Sequence, residues 1–393
     1  MLTSIAIIVL SGLFMGRLFS KLKLPGLLGM ILAGILLSPH ALNLLDPSLL
    51  NISSDLRQIA LVIILTRAGL SLNLGDLKKV GRPAVLLCFV PACAEIIGTM
   101  LLAPPLLGVS LLEAAITGSV IAAVSPAVIV PRMIRLMENG YGRDHSIPQL
   151  LLAGASVEDV FVIVVFSALT SLASSGSFSA LSLLQIPVSI LTGVLAGMVT
   201  GLGLHAFFRS CPLRDTVKIL ILLSVSFLLL ELQNRLEGTV PLSGLLAIMS
   251  LGIFLKRRSP DLARTLCDEY SLLWIPAEIF LFVLVGVTVD LQYAFAAGAP
   301  AIVLVLGALM FRMAGVALSL VKTRLTGSEK LFCMIAYTPK ATVQAAIGAI
   351  PLSMGLACGQ KVLTVAVLAI LITAPLGAVG IDKLYKKLLT ALA

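Results

Sequence analysis

Charge is what this sequence has least of. Lys and Arg number 28 and Asp and Glu 19 in 393 residues, 12% together, where a soluble domain carries roughly 25%. With 59% apolar residues, a single soluble core cannot hide the apolar surface, and a soluble globular fold is excluded. Strict polar–apolar alternation is also missing. Runs such as 60–65 and 160–168 are continuously apolar, which argues against a membrane β-barrel. The six cysteines, Cys88, Cys93, Cys211, Cys267, Cys333 and Cys358, form no C-x-x-C pair and are read as small apolar fillers rather than metal ligands. There is no G-x-S-x-G, no H-E-x-x-H and no pair of catalytic aspartates on separate helices, so an intramembrane enzyme has no machinery here. A Gly-rich phosphate loop is absent too, which sets aside an ATP-driven pump. No cofactor is called for.

What is present is a succession of apolar runs near 20 residues, the length a bilayer-spanning helix needs. Thirteen spans fit, at about 2–20, 25–38, 53–73, 80–103, 110–136, 147–173, 181–208, 215–235, 239–256, 271–290, 297–321, 329–355 and 359–386. The first lacks a basic leader and a small-residue cleavage site and is read as an uncleaved helix. Residues 260–270 read as a short amphipathic cytoplasmic helix. With the N-terminus outside, 22 of the 28 basic residues fall in inner loops and three, Arg57, Arg235 and Lys361, at outer ends. That bias predicts N-out, C-in, and it explains the net charge of +9 by topology rather than by nucleic-acid binding. The expected fold is therefore an all-α polytopic membrane protein of about thirteen spans. An odd count suggests six spans, a central helix and six more in inverted orientation. The central span carries Gly193, Gly197 and Gly201 at four-residue spacing, fit either for close helix packing or for a linker between moving bodies.

Spans five and twelve echo each other. Ser125-Pro126 lies in the middle of one and Thr338-Pro339 in the middle of the other. Each proline removes a backbone donor and clashes with the preceding turn, so two broken, crossing helices are expected. Matched breaks in two halves point to a site at the midplane, where freed backbone groups and half-helix dipoles can hold ions.

Charges within apolar runs are costly, ~3 kcal/mol or more at the bilayer centre, and mark function by default. Glu158 and Asp159 lie mid-span in LLAGASVEDVFVIVVFSAL without a neutralising neighbour in sequence. Adjacent helical residues point about 100° apart, so one carboxylate can line a cavity while the other faces a flanking helix. Burial favours the protonated form of a carboxyl group, so such a residue can exchange a proton for a cation, and oxygen ligands suit hard cations such as Na⁺ or Li⁺. Ser125 and Ser156 are candidate further ligands. Lys340 and Arg312 are possible counter-ions of the pair. Glu95 and Arg312 occupy partner spans four and eleven, and a salt bridge between them is expected. Glu278 is expected at the start of span ten near the inner surface, and Glu113 at the outer end of span five. Arg67 snorkels. His40, His145 and His205 receive no role.

These stretches carry a family resemblance. AVSPAVIVPRMIRLMENGYG (123–142), IPQLLLAGASVED (147–159), TPKATVQAAIG (338–348) and LTRAGLSLN (65–73) resemble the sodium/proton antiporters of the cation–proton antiporter superfamily, most closely the NHA branch, over most of the chain. The resemblance implies a homodimer in a cell membrane, with a bacterial inner membrane expected. It implies a dimerisation domain of residues 1–79 and 215–290, a linker helix at 174–214, and a mobile ion-transporting core of residues 80–173 and 291–393 that slides as an elevator. It implies that Asp159 binds the cation or the proton, and that Lys340, Thr338, Pro126 and Pro339 belong to the broken spans that modulate the site. It implies a family ion pair at Glu95 and Arg312. Glu158 stands where NHA members usually carry Asp. The leading reading is antiport of Na⁺ or Li⁺ against H⁺. K⁺/H⁺ exchange, or organic-anion symport on the same fold, is the alternative, the latter disfavoured by two carboxylates. A channel would need a lined open pore, and the sequence offers one compact charged cluster instead.

Overall fold

The computed structural model is all-helical among the described residues, which are all but 23, 72–80, 143, 175–179, 237–239, 290–297 and 391–393; the side chains of 127, 131, 134, 138, 156, 180–187 and 190 are not described. In chain order the helices are α1 (Leu2–Lys21), α2 (Gly26–Leu37), α3 (Pro47–Asn51), α4 (Ser53–Ser71), α5 (Arg82–Leu87), α6 (Val90–Leu107), α7 (Leu111–Ile121), α8 (Pro126–Glu138), α9 (Ile147–Ser174) and α10 (Ala180–Ser210), then α11 (Asp215–Leu236), α12 (Gly244–Arg258), α13 (Pro260–Val287), α14 (Gly298–Ser319), α15 (Gly327–Ala336), α16 (Thr342–Ile347), α17 (Ile350–Ser353) and α18 (Gly359–Leu388). Among the described residues, seven stretches are long and apolar enough to cross a membrane, and three shorter apolar helices accompany them. Side chains such as Leu10, Phe14, Leu191, Val199, Leu228 and Met310 are bare on the outside. A spanning helix satisfies its own backbone bonds and can present such a surface to lipid.

The chain divides into two compact units. One comprises Met1–Ile52, Leu74–Val162 and Phe282–Ala393; the other comprises Ser53–Asn73 and Ile163–Leu281. In the second unit the glycine stripe of α10 lies on α12. A Cβ at Gly193 would stand 2.7 Å from the Ser243 carbonyl oxygen and one at Gly201 2.8 Å from that of Leu251, while at Gly197 it would overlap the Ala247 carbonyl. Small residues at this spacing let two backbones touch, so the stripe is at least a packing seam.

One expectation is refined and one needs correction. Span four is one apolar stretch, Arg82–Leu107, with a local irregularity where α5 ends at Leu87 and α6 begins at Val90. Pro91 at the start of α6 has no N–H and crowds the carbonyl four residues back. Residues 260–270 are no separate surface helix. They run unbroken into span ten as the 28-residue α13, and Ala263, Leu266 and Tyr270 are fully buried. Nothing between Tyr270 and Ser271 stops a helix, and the amphipathic period of this stretch is that of one end of a longer element. In consequence Glu278 lies well inside α13, not at its start.

The breaks in spans five and twelve are where the prolines put them. The first half-helix of each opens on a capping box: Ser110 with Glu113 for α7, Thr326 with Glu329 for α15. Each hydroxyl accepts the N3 amide while the glutamate accepts the N-cap amide, satisfying two otherwise orphaned donors. Glu113 is thus explained as a cap, and both S/T-x-x-E signatures stand in the sequence. After Ile121 the helix stops, Ser125 is extended, and Pro126, at the first position of α8 where its missing donor costs nothing, restarts the helix. Residues 337–341 form the matching break before α16. The two breaks meet, the Ser125 amide donating to the Pro339 carbonyl at 2.8 Å.

Candidate functional site: a buried ion network at two helix breaks

Where α7 stops, its last carbonyls lose their helical donors, and Ile121, Ala122 and Ala123 are fully buried there. Side chains from α14 and from the second break replace those donors. Lys340 Nζ donates to the Ile121 carbonyl at 2.5 Å, Arg312 Nη1 to that of Ala122, and Gln344 Nε2 to that of Ala123 at 2.8 Å. Two of the three donors are cations. They face the end of α7 where the helix dipole is negative.

Those cations are held in turn by carboxylates. Arg312, fully buried on α14, sends Nη1 to Glu95 Oε2 at 3.0 Å and Nη2 to Glu158 Oε2 at 2.6 Å. Its Nε donates to the Tyr337 carbonyl at 2.6 Å, and the guanidinium lies 5.3 Å from the Tyr337 ring centroid. Lys340 Nζ is 2.7 Å from Glu95 Oε1, and its backbone amide donates to Thr373 Oγ1 at 3.0 Å. Only the forked guanidinium, with its rigid set of donors, can serve two carboxylates and two carbonyls together. Uncompensated, each buried ion costs several kcal/mol, which partners of this quality offset. The charges of Glu95, Glu158, Arg312 and Lys340 cancel.

The sequence candidates therefore separate. Arg312 contacts Glu95, as the equivalence of spans four and eleven suggests. Lys340 does not pair with Glu158 or Asp159, the two acids weighed for it; it reaches Glu95, because Arg312 already occupies Glu158. Glu158, fully buried, spends Oε2 on Arg312 and on the Val124 amide at 3.1 Å, which leaves Oε1 without a partner. Asp159, the next residue on α9, takes no part in these ion pairs. It is partly buried, and its Oδ1 is sealed from solvent with no hydrogen-bond partner. Ser125 Oγ is likewise buried and unpartnered, next to the Val124 amide that holds Glu158. The side chain of Ser156 lies outside the described residues. Thr338 turns its hydroxyl back onto the Ile335 carbonyl at 2.8 Å rather than toward the charges. The freed carbonyls, expected as loose cation ligands, are taken by the three donors above.

Tyr337 and Gln344 belong to the site as well, though the sequence reading does not single them out. Tyr337 adjoins the break, and its hydroxyl fills the space beside Gly154, one turn before Glu158 on α9, where a Cβ would collide with it. That hydroxyl and Gln344 Oε1 are both buried and unpartnered. Nearness to Pro339 in the sequence is the one signal that could have found them. Unpaired buried oxygens are rare in folded proteins, and those of Ser125, Glu158, Tyr337 and Gln344 lie at or beside these breaks, with that of Asp159 next to Glu158 in the chain. Among the described residues, no group of three or more His, Cys, Asp or Glu side chains could hold a metal ion.

The comparisons with known proteins agree with the fold. The family described as "Sodium/hydrogen exchanger, transmembrane" matches residues 5–387. "Sodium/hydrogen exchanger 9B2" of Mus musculus is 33% identical over 395 residues, covering 95% of this chain and 71% of that protein. "Sodium/hydrogen exchanger 9B1" of Homo sapiens is 32% identical over 384 residues, covering 93% and 73%. The solved sodium proton antiporter MjNhaP1 from Methanocaldococcus jannaschii superposes with a TM-score of 0.85 at 21% identity, covering 98% of each chain. A multi-pass membrane protein with apolar helices, matched by that family along nearly its whole length, the chain belongs to the sodium/hydrogen exchangers of the cation–proton antiporter superfamily.

Proposed function

We propose that this protein is a secondary antiporter, not an enzyme, exchanging Na⁺ or Li⁺ for H⁺ at Asp159. The observation that carries the reading is a charge left over. Glu95, Glu158, Arg312 and Lys340 neutralise one another, while Asp159 brings a fifth charge with a buried, unpartnered oxygen. A carboxylate in that position is neutralised either by a proton or by a cation, and the two compete. Ser125 Oγ and Glu158 Oε1, both buried and unpartnered, are the further oxygens proposed for the cation. Ser156 is kept as a further candidate ligand.

The charge count also favours one cation for one proton. Glu158 is committed to Arg312, which leaves Asp159 as the carboxylate that changes occupant. K⁺ in place of Na⁺ is the second reading, since nothing in the oxygen set fixes cation size; organic-anion symport is disfavoured by the uncompensated carboxylate.

The paired breaks, their paired prolines and their paired capping boxes support an inverted repeat of six spans in a chain of about thirteen, N-out and C-in. On that plan residues 80–173 and 291–393 form the moving core, and residues 1–79 and 215–290 the dimerisation domain, joined by 174–214, with elevator motion carrying Asp159 from one side to the other. This functional division differs from the contact units, which group Met1–Ile52 with the core helices. The curated relatives named above come from mouse and human, so a bacterial inner membrane is not supported, and the proposal stops at a homodimer spanning a cell membrane. The test is proton release from proteoliposomes driven in turn by Na⁺, Li⁺ and K⁺, with and without an imposed potential. Exchange with Na⁺ or Li⁺ that ignores the potential is expected; exchange with K⁺ alone, or a rate that follows the potential, would overturn it.

A further inference from the structure

Three side chains cap the open end of α7, and two of them belong to the ion network. The third, Gln344, does not. It lies on α16 with 1% exposure. Its Nε2 donates to the Ala123 carbonyl at 2.8 Å and reaches that of Ile121 at 3.5 Å. Two carbonyls in front of the amide fix its orientation, because reversal would set oxygen against oxygen. Its Oε1 is then left buried with no partner.

From Ala123 to Ser125 the break is held residue by residue. Gln344 holds the Ala123 carbonyl, Glu158 accepts the Val124 amide at 3.1 Å, and Pro339 accepts the Ser125 amide at 2.8 Å. What remains free is the Ser125 hydroxyl. The direction of that hydroxyl depends on the peptide planes before it, and Gln344 is the neutral side chain that holds them. A neutral donor here satisfies a buried carbonyl and adds none of the charge that would compete with a cation.

We infer that Gln344 is a positioning residue of the exchange site, holding residues 123–125 so that Ser125 Oγ and Asp159 meet the cation together, and that it sets cation affinity and Na⁺/Li⁺ discrimination rather than maximal rate. This rests on the antiporter reading above. Loss of one neutral hydrogen bond to the site corresponds to about fivefold in affinity (~1 kcal/mol).

The test uses full-length protein in proteoliposomes with the variants Gln344→Leu and Gln344→Glu, measuring KM and maximal rate for Na⁺ and Li⁺ from mildly acid to alkaline pH, and thermal unfolding in detergent. Gln344→Leu is expected to raise KM about fivefold, to shift the Na⁺/Li⁺ ratio of KM, and to leave the maximal rate within about twofold. Gln344→Glu is nearly isosteric. Its protonated form donates an O–H to the Ala123 carbonyl and its ionised form cannot, so its KM relative to the parent should be near normal at acid pH and rise toward alkaline pH. That pH dependence is absent from a merely structural role. Should Gln344→Leu fail to fold, Gln344→Glu carries the test alone. If either variant keeps the parent KM, ion ratio and pH profile, or if both lose rate and stability together at every pH, the inference is wrong while the antiporter reading stands. If the unmodified protein exchanges no cation for protons, both fall.

Discussion

Arg312 is the side chain on which the site's electrostatics turn, and Arg312→Met measures how much. The substitution removes the guanidinium from two carboxylates and two carbonyls. Glu95 keeps Lys340 at 2.7 Å, so its loss is partial. Glu158 keeps only the Val124 amide and becomes a buried charge without a cation. Breaking a buried pair in this way costs about 3–5 kcal/mol; the stranded carbonyls of Ala122 and Tyr337 add to it, while protonation of Glu158 returns part. Lys340→Met is milder, because Glu95 retains Arg312 and Ile121 retains the longer contact from Gln344; about 1–3 kcal/mol is expected. The double variant Glu158→Gln, Arg312→Met leaves no unpaired carboxylate at position 158, and should be more stable than Arg312→Met alone. Thermal unfolding of detergent-solubilised protein, followed by a thiol-reactive dye on the six free cysteines, gives the order: parent, then Lys340→Met, then the double variant above Arg312→Met. An Arg312→Met protein melting within about 1 °C of the parent, or a double variant less stable than the single, would refute the reasoning.

Other outcomes follow from the same contacts. Ser125→Ala removes a buried unpartnered hydroxyl; it should raise the KM for Na⁺ in the proteoliposome assay and leave the melting temperature unchanged or slightly higher. Gly154→Ala places a methyl on the Tyr337 hydroxyl and should cost about 1–3 kcal/mol of stability, read in the thermal assay and relieved by Tyr337→Phe. Gly197→Leu drives a side chain into the Ala247 carbonyl and should destabilise the α10–α12 pair by a similar amount; normal expression and melting would show that the seam yields.

Much of this architecture is legible in the sequence, for identifiable reasons. Lipid leaves a spanning helix no alternative way to satisfy its backbone, so apolar runs near 20 residues map onto helices, and the breaks at 122–125 and 337–341 coincide with Ser125-Pro126 and Thr338-Pro339. The charges that lie in apolar runs in spans four, six, eleven and twelve are the ones that gather at the breaks. What the sequence left open is the pairing. With two cations and three acids, several pairings are equally compatible with the sequence, and the choice depends on reach: a forked guanidinium that serves Glu95 and Glu158 together, and a lysine that reaches Glu95. Gln344 escapes a sequence reading because a neutral amide in an apolar helix carries no periodicity and no charge to draw notice. The irregularity at Cys88 and Phe89 escapes because Pro91 stands in a run that otherwise reads as continuous. The extension of α13 back to Pro260 escapes because surface and buried faces of one helix share one period.

The account depends on Asp159 being the carboxylate that changes occupant, and Asp159→Asn tests it most directly. Reconstituted into proteoliposomes at the parent's density, with its melting temperature checked, the variant should release no protons when Na⁺ or Li⁺ is added on either side. Cation-driven proton release at the parent's rate would contradict the account and move the exchange away from Asp159.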